Sequence, residues 1–436
     1  MLIKRIQLGF LHVAVAMTLV PINSTLNRIM IKELALSATL VAIFASLPYL
    51  FSPIQVAIGS FSDKYPLFGR RRSPYIFLGL LLCVIGLGIS PYVAFLLESN
   101  RTMGMLLSIL TFGSWGMGYN FAAVSYFALA SELSGAKGRS RTIATMFFMM
   151  ILAIIITSIG LSRMLEPYTP EALYQAFWTV AGVALVLGLL GLINLEPRTN
   201  KSDVPDSANY TWSEMAGAIT GNPQAKIFFV YLLILLAAIL GQDILLEPYG
   251  AEAFGLTVDQ TTRITSIWGV SFLLSLATAG ALEGRVSKFT VSKIGAWGGM
   301  IAFPIIIVSG LMTSTSVFYV GVVLLGLATG LSTVSNLSLM LDMTTAANVG
   351  LFIGAWGMSN AFSRLTGNVL GGVVRDSVTQ IAQSPATGYQ VVFFIETLML
   401  FVSLILLSKI DVTAFQQQAQ SEELSFVERA ALAGDV

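Results

Sequence analysis

The chain has 436 residues, of which 55% are hydrophobic and 11% are charged, and its mean hydropathy is +0.80. A water-soluble domain carries about 25% charged residues, so this composition excludes an ordinary soluble protein and predicts an integral membrane protein. The net charge of +1 argues against nucleic-acid binding, and the single cysteine, Cys83, excludes an intramolecular disulfide.

Apolar runs follow one another along almost the whole chain. A helix that crosses the bilayer needs about 20 mostly apolar residues. Runs of this length predict twelve spans, at 8–31, 39–61, 74–97, 103–129, 143–165, 174–195, 226–248, 262–282, 293–313, 316–340, 349–374 and 389–408. The predicted fold class is therefore all-α, a polytopic membrane protein of about twelve transmembrane helices.

The basic residues are distributed unequally between the two sides of this topology. With an even number of spans and both termini on one side, that side carries 17 of the 24 Lys and Arg residues. Positive charge marks the cytoplasmic face of a membrane protein. We therefore expect both termini to be cytoplasmic, in a photosynthetic or cytoplasmic membrane.

A polar tract divides the chain into two parts of similar size. It is rich in Pro, Asn, Ser, Asp and Lys, as a linker would be, and its residues 212–219 predict a short interfacial helix. The predicted domains are a six-helix bundle at 1–195, a cytoplasmic linker at 196–225, a second six-helix bundle at 226–408 and a cytoplasmic tail at 409–436. Two pseudo-symmetric six-helix halves are similar to the major facilitator superfamily fold.

The connection between spans two and three, GSFSDKYPLFGRRR at 59–72, resembles the loop signature of that superfamily. Its glycine would allow close helix packing, and its aspartate could accept hydrogen bonds at a helix N-terminus or pair with a basic residue of the 4–5 loop. Alternatively, the arginines only determine topology. The predicted motif residues are Gly59, Asp63, Lys64, Gly69, Arg70, Arg71 and Arg72, with Arg139 and Arg141 as the basic partners.

Further blocks resemble the PucC/LhaA family of the same superfamily. They are LNRIMIKEL at 26–34, RRRSPYI at 70–76, GQDILLEPYGAEAFG at 241–255 and GLFIGAWGM at 350–358. The resemblance implies a membrane factor for light-harvesting complex assembly that binds chlorophyll or bacteriochlorophyll transiently. It also implies light-harvesting or one-helix pigment-binding membrane proteins as partners within the lipid bilayer, with chlorophyll synthase as a further candidate.

Polar residues near the outer ends of spans one and seven form a candidate gate or docking site. They are Asn27 and Arg28 in span one and Gln242, Asp243 and Glu247 in span seven. Asp243 and Glu247 are four residues apart and therefore share a helix face. We expect Arg28 to pair with one of these two carboxylates. The alternative is that they are ordinary helix-end charges.

Two ionisable residues lie deeper, Arg364 in span eleven and Glu396 in span twelve. Charge inside a membrane usually has a partner, which predicts that they form an ion pair. Substrate or pigment contact and proton coupling stay open as alternatives. His12, the only histidine, and Trp356 are candidate pigment contacts, although both residue types also occur as ordinary packing or membrane-interface residues.

The sequence contains no phosphate-binding loop, histidine-containing triad or metal-binding cluster, so we expect a protein that is not an enzyme. Three functions remain in competition. They are pigment handling during antenna assembly, secondary transport of a small solute by alternating access, and a scaffold that keeps the fold without transport.

Overall fold

The computed structural model describes residues 2–198, 212–282, 285–344 and 349–418, and within these ranges the chain is almost entirely helical. The first half contains α1 (Leu2–Val20), α2 (Ala38–Ala45), α3 (Leu47–Leu50), α4 (Ile54–Lys64), α5 (Ser73–Ser99), α6 (Arg101–Met164) and α7 (Pro170–Leu192). Two π-helical segments, Pro21–Leu26 and Ile29–Glu33, prolong α1.

The second half begins with α8 (Trp212–Gly221), which lies where a short linker helix was predicted. It continues with α9 (Pro223–Gly241), α10 (Leu246–Phe254), α11 (Val258–Leu282), α12 (Lys288–Leu311), α13 (Thr315–Asp342), α14 (Val349–Ala382) and α15 (Pro385–Leu407). A 3-10 turn, Gln242–Ile244, separates α9 from α10. Residues 199–211 of the predicted linker and 419–436 of the predicted tail lie outside the described residues.

The prediction of about twelve transmembrane helices is confirmed. In the described ranges, nine helices are long and apolar enough to cross a membrane on their own. The other three spans are less regular: span two is divided among α2, α3 and α4, and spans four and eleven carry Gly, Ser and Asn within their helices. Span seven bends at its 3-10 turn, which places its last residues in the separate helix α10.

Spans four and five both lie within the range of α6, and a loop between them was expected at 132–141. The backbone nevertheless turns at Gly135, whose φ of 61° and ψ of 176° are not helical. Glycine adopts this left-handed φ without the steric cost that a Cβ would add. The chain therefore breaks within the expected connection, at Gly135.

The apolar residues form one main core in each half. The first extends from Leu8 to Leu195 with Val258 of α11 added to it, and the second from Ile219 to Phe415 with Ala42 and Ala45 of α2 added to it. A small third cluster joins Ile151 and Ile155 of α6 to Phe272 of α11, across the boundary between the halves. The predicted domain boundaries themselves stay a prediction.

The two most extensive helix contacts between the halves are α6 with α11 and α2 with α14. At the second pair, a Cβ on Gly372 would lie 2.9 Å from the Ala38 carbonyl oxygen and from Thr39 Cα, so a side chain larger than hydrogen does not fit. We call the end of the bundle with the N-terminus and residues 70–72 the basic side, and the other end the opposite side. Gly372 lies in the part of α14 that approaches the opposite side.

Candidate functional site

The loop between α4 and α5 is held by two glutamates. Arg71 and Arg72 each form an ion pair with Glu132 at 3.2 Å. Glu196, which follows α7, accepts hydrogen bonds from the backbone N–H groups of Arg71, Arg72 and Ser73 at 2.8, 3.0 and 2.6 Å. A carboxylate in this position satisfies backbone donors that have no partner within the first turn of a helix.

Sequence reasoning gave that capping role to Asp63 and missed Glu196. An acidic residue directly after span six, opposite the start of span three, was the available signal. The Asp63 side chain lies outside the described part of the chain, so its salt bridge to Arg139 or Arg141 stays a prediction. Both of these arginines are exposed.

Two glycines of the same loop differ in their role. Gly69 has a φ of +71°, which favours glycine, and it lies in the turn where Leu67 and Arg70 exchange backbone hydrogen bonds. Gly59 was expected to permit a close helix approach, and this is wrong. A Cβ there would meet Val124 Cγ1 at 3.6 Å, an ordinary contact distance. Lys64 is exposed at the end of α4.

The ends of spans one and seven meet between the halves, as their predicted depth implied. Asn27 donates to the Ile244 carbonyl oxygen at 2.5 Å, next to the 3-10 turn. The Glu247 Oε1 atom accepts hydrogen bonds from the hydroxyl groups of Ser24 at 2.5 Å and Thr265 at 2.6 Å. Hydroxyl and amide groups therefore surround Glu247 and the 3-10 turn where the two helix ends meet.

The predicted pairing of Arg28 with Asp243 or Glu247 is wrong. Arg28 is buried, forms an ion pair with Glu33 of its own half, and donates to the Leu256 carbonyl oxygen at 3.1 Å. The π-helical turns bring a residue five positions along the chain onto the face of Arg28. This irregularity could not be read from a standard helical period.

The prediction that Arg364 pairs with Glu396 is also wrong. The Arg364 Nη1 atom lies 3.5 Å from Asp243 Oδ2 and 3.3 Å from the Tyr49 hydroxyl, and its guanidinium group stacks on the Tyr49 ring at 5.3 Å from the centroid. Gln242 also donates to Asp243, at 3.0 Å. Glu396 is buried nearby, with Asp243 as its charged neighbour. Tyr49, Asp243, Arg364 and Glu396 are the central charged cluster.

The two charged members of the Arg364–Asp243 pair keep 29% and 31% of their side-chain surface exposed. This pair brings together span seven and span eleven, and Tyr49 adds span two of the first half. A partly exposed arginine and aspartate between the halves can donate and accept hydrogen bonds with a polar ligand group. The cluster is the candidate functional site.

Asp376 on α14 makes the most extensive polar contact between the halves. Its carboxylate accepts hydrogen bonds from the Ala38 N–H at 3.1 Å, the Thr39 N–H at 2.8 Å and the Thr39 hydroxyl at 2.7 Å. It thereby caps the N-terminus of α2 from the other half. Arg375 pairs with it at 3.0 Å and lies over the Tyr389 ring. Sequence reasoning did not identify this contact.

Further contacts join the halves at the same end of the bundle. Lys32 pairs with Glu252 at 2.7 Å, and Arg263 pairs with Glu166 at 2.9 Å and donates to the Ser162 hydroxyl at 2.8 Å. The Arg263–Glu166 pair is largely exposed, so it adds little stability by itself. Together with Asp376, these contacts close the opposite side.

The two predicted pigment contacts are enclosed by protein. His12 is buried with its ring 5.1–5.4 Å from the rings of Tyr126, Phe127 and Phe147. Trp356 has no exposed surface, and its Nε1 atom donates to the Met343 carbonyl oxygen at 3.2 Å. Both side chains are therefore enclosed in this conformation, and their contact with a pigment stays a prediction.

Comparisons with known proteins show the family to which the chain belongs. A family model described as PUCC protein matches residues 25–415. The chain belongs to the PucC family. "Protein PucC" of Rhodobacter capsulatus is 29% identical over 417 residues, which are 92% of this chain and 90% of that protein. "Bacteriochlorophyll synthase 44.5 kDa chain" of the same species is 26% identical over 408 residues. The aligned region is 91% of this PucC-family chain and 92% of that protein.

A solved structure confirms the fold of this PucC-family protein. A mutant of the nucleoside transporter NupG matches with a TM-score of 0.74 over 93% of this chain and 99% of the transporter. The sequences are only 16% identical, so the likeness concerns the fold alone. The PucC-family chain therefore has the major facilitator superfamily fold of an integral membrane protein.

Proposed function

We propose that the protein is a membrane assembly factor that handles chlorophyll or bacteriochlorophyll and delivers it to light-harvesting proteins. The observation that carries this proposal is the PucC family match over residues 25–415. A relative of nearly the same length is named as a bacteriochlorophyll synthase chain, which supports a place in the photosynthetic pigment system. The chain itself would not catalyse a reaction.

The central charged cluster is the part of the molecule best suited to receive the pigment. A chlorophyll is a flat apolar macrocycle with ketone and ester carbonyl groups at its edge. The Arg364 guanidinium, 29% exposed between the halves, can donate to such carbonyls, and the Tyr49 ring beside it offers an apolar surface. The pigment magnesium would take its ligand from water, a carbonyl or an amide, because His12 is enclosed.

This arrangement favours brief binding rather than permanent storage. Arg364 already has Asp243 and Tyr49 as partners, so a pigment must compete with them for the guanidinium. The receiving antenna or one-helix proteins would then take up a pigment that was shielded from water and from other pigments. The termini of the assembly factor would lie on the cytoplasmic side, as the positive charge of the basic side indicates.

The test is to purify the tagged protein from a phototroph in mild detergent and to record its visible spectrum and its co-eluting small membrane proteins. We expect chlorophyll absorbance with the wild type and a several-fold lower pigment-to-protein ratio with Arg364→Gln. Arg163→Gln is the matched control, because Arg163 is exposed in the last turn of α6. A colourless wild-type protein without antenna partners would contradict the proposal.

Secondary transport is the second candidate, and one specific observation favours it. The central charged cluster is partly exposed between two halves that are joined by contacts at one end of the bundle, as a transporter closed on one side would be. Uptake of a pigment-related solute into proteoliposomes, lost in Arg364→Gln and kept in Arg163→Gln, would support transport. No flux from a protein that retains pigment would favour the assembly factor.

A further inference from the structure

Glu396 is a buried carboxyl group in the middle of α15, and its surroundings suit a neutral form. The residue is 4% exposed, and its Oε2 atom has no hydrogen-bond partner among the described residues. The charged neighbour that acts on it is Asp243, a like charge. The cation that sequence reasoning assigned to it, Arg364, lies against Asp243 instead.

The charges of the central charged cluster balance only when one carboxyl group carries a proton. Arg364 supplies one positive charge, which Asp243 compensates at 3.5 Å. An ionised Glu396 would add an uncompensated negative charge inside the membrane, which is strongly unfavourable. Since Asp243 has the guanidinium beside it, Glu396 is the carboxyl group that a proton would neutralise.

The other charged residues on helices packed against α15 do not supply the missing counter-charge. Lys226 and Lys293 lie near the ends of α9 and α12 on the basic side, and the rest have partners of their own. Those with partners are Glu247, which accepts from Ser24 and Thr265; Glu252, with Lys32; Lys288, with Asp342; and Arg375, with Asp376.

We propose that Glu396 is a proton-binding site whose occupancy is linked to separation of the two halves. Arg364 connects the halves through Tyr49, which belongs to the first. When the halves separate, Tyr49 withdraws, water enters the cluster and the guanidinium becomes free to compensate a second carboxylate. The Glu396 O–H bond then breaks, its proton passes to water, and no other bond changes.

The sign of the pH dependence follows from this linkage. The closed form binds the proton more tightly than the open form, so a rise in pH favours the open form. With one proton released per molecule, the ratio of open to closed forms changes by up to about tenfold per pH unit. The proton-linked equilibrium belongs to the helix bundle and does not depend on whether the cargo is a pigment.

Infrared spectroscopy of the full-length protein in liposomes tests the protonation directly. A protonated carboxylic acid has a C=O stretching band that an ionised carboxylate lacks, and the band shifts in D2O. We expect a component of this band at neutral pH in the wild type that Glu396→Gln lacks, while Glu171→Gln, at an exposed site, keeps it. A band that is unchanged in Glu396→Gln overturns the assignment.

A distance measurement tests the link to opening. Spin labels on cysteines introduced at Ser99 and Ala382, both exposed and one in each half, report separation of the opposite side. The buried Cys83 stays unlabelled. We expect the open population to grow with pH in the wild type and to be low and independent of pH in Glu396→Gln. Glu396→Asp should restore the pH dependence. Equal pH profiles in the wild type and Glu396→Gln overturn the proposal.

Discussion

The contact between Asp376 and the N-terminus of α2 makes a quantitative prediction. Replacing Asp376 with Asn keeps the size of the side chain but removes its negative charge and one acceptor oxygen. The carboxylate accepts three hydrogen bonds from the other half, at 2.7–3.1 Å. Since these bonds exist only while the halves are in contact, the substitution destabilises the closed form.

The magnitude follows from the strength of such bonds. A hydrogen bond to a charged group contributes about 1.5–3 kcal/mol, and water replaces part of this in the open form. We therefore expect a loss of about 2 kcal/mol, which changes the ratio of closed to open forms by roughly 30-fold. Arg375 keeps its contact with the Tyr389 ring, 4.8 Å from the centroid, so the substitution does not leave that charge isolated.

The assay is the distance between spin labels at Ser99 and Ala382, measured by double electron–electron resonance. Asp376→Asn should broaden the distribution and add a longer component, whereas the control Glu171→Gln, a change at an exposed site, should match the wild type. If Asp376→Asn and the wild type have the same distribution, the Asp376 contact does not hold the halves together.

Two other substitutions test neighbouring parts of the structure. Gly372→Leu should also open the opposite side, because even the Cβ of the leucine would lie 2.9 Å from the Ala38 carbonyl oxygen. Gly357→Ala is the control. No atom lies within 4 Å of its added Cβ, so the distance between the spin labels should not change. Glu196→Gln should weaken the cap on the first turn of α5 by about 1 kcal/mol and speed trypsin cleavage at residues 70–72 several-fold. An unchanged cleavage rate would show that Glu196 is not needed to hold this loop.

The helix bundle could be predicted because it depends on the composition of the chain and on the spacing of its apolar runs. Apolar runs located the helices, and the excess of basic residues on one side required an even number of spans. The ends of α5, α12 and α15 accordingly lie within a few residues of the predicted ones. Family-specific blocks such as 241–255 then led to the PucC family, which the match over 25–415 confirms.

The sequence did not predict which carboxylate each arginine pairs with inside the membrane. Depth along the bundle placed Arg364 near Glu396, but the rotation of each helix and the inter-half boundary decide which carboxylate the guanidinium faces. In the structure, the Arg364 guanidinium group faces Asp243. Arg28 was misassigned because π-helical turns bring Glu33 onto its face.

Transfer of pigment to a client protein is the most direct measure of delivery. The purified pigment-loaded protein is mixed with pigment-free light-harvesting polypeptides in liposomes, and the appearance of the antenna absorption band is followed in time. We predict that the band forms several-fold faster than with the same amount of free pigment, and that Arg364→Gln removes this advantage. A band that forms equally fast from free pigment, or with Arg364→Gln, would contradict the account.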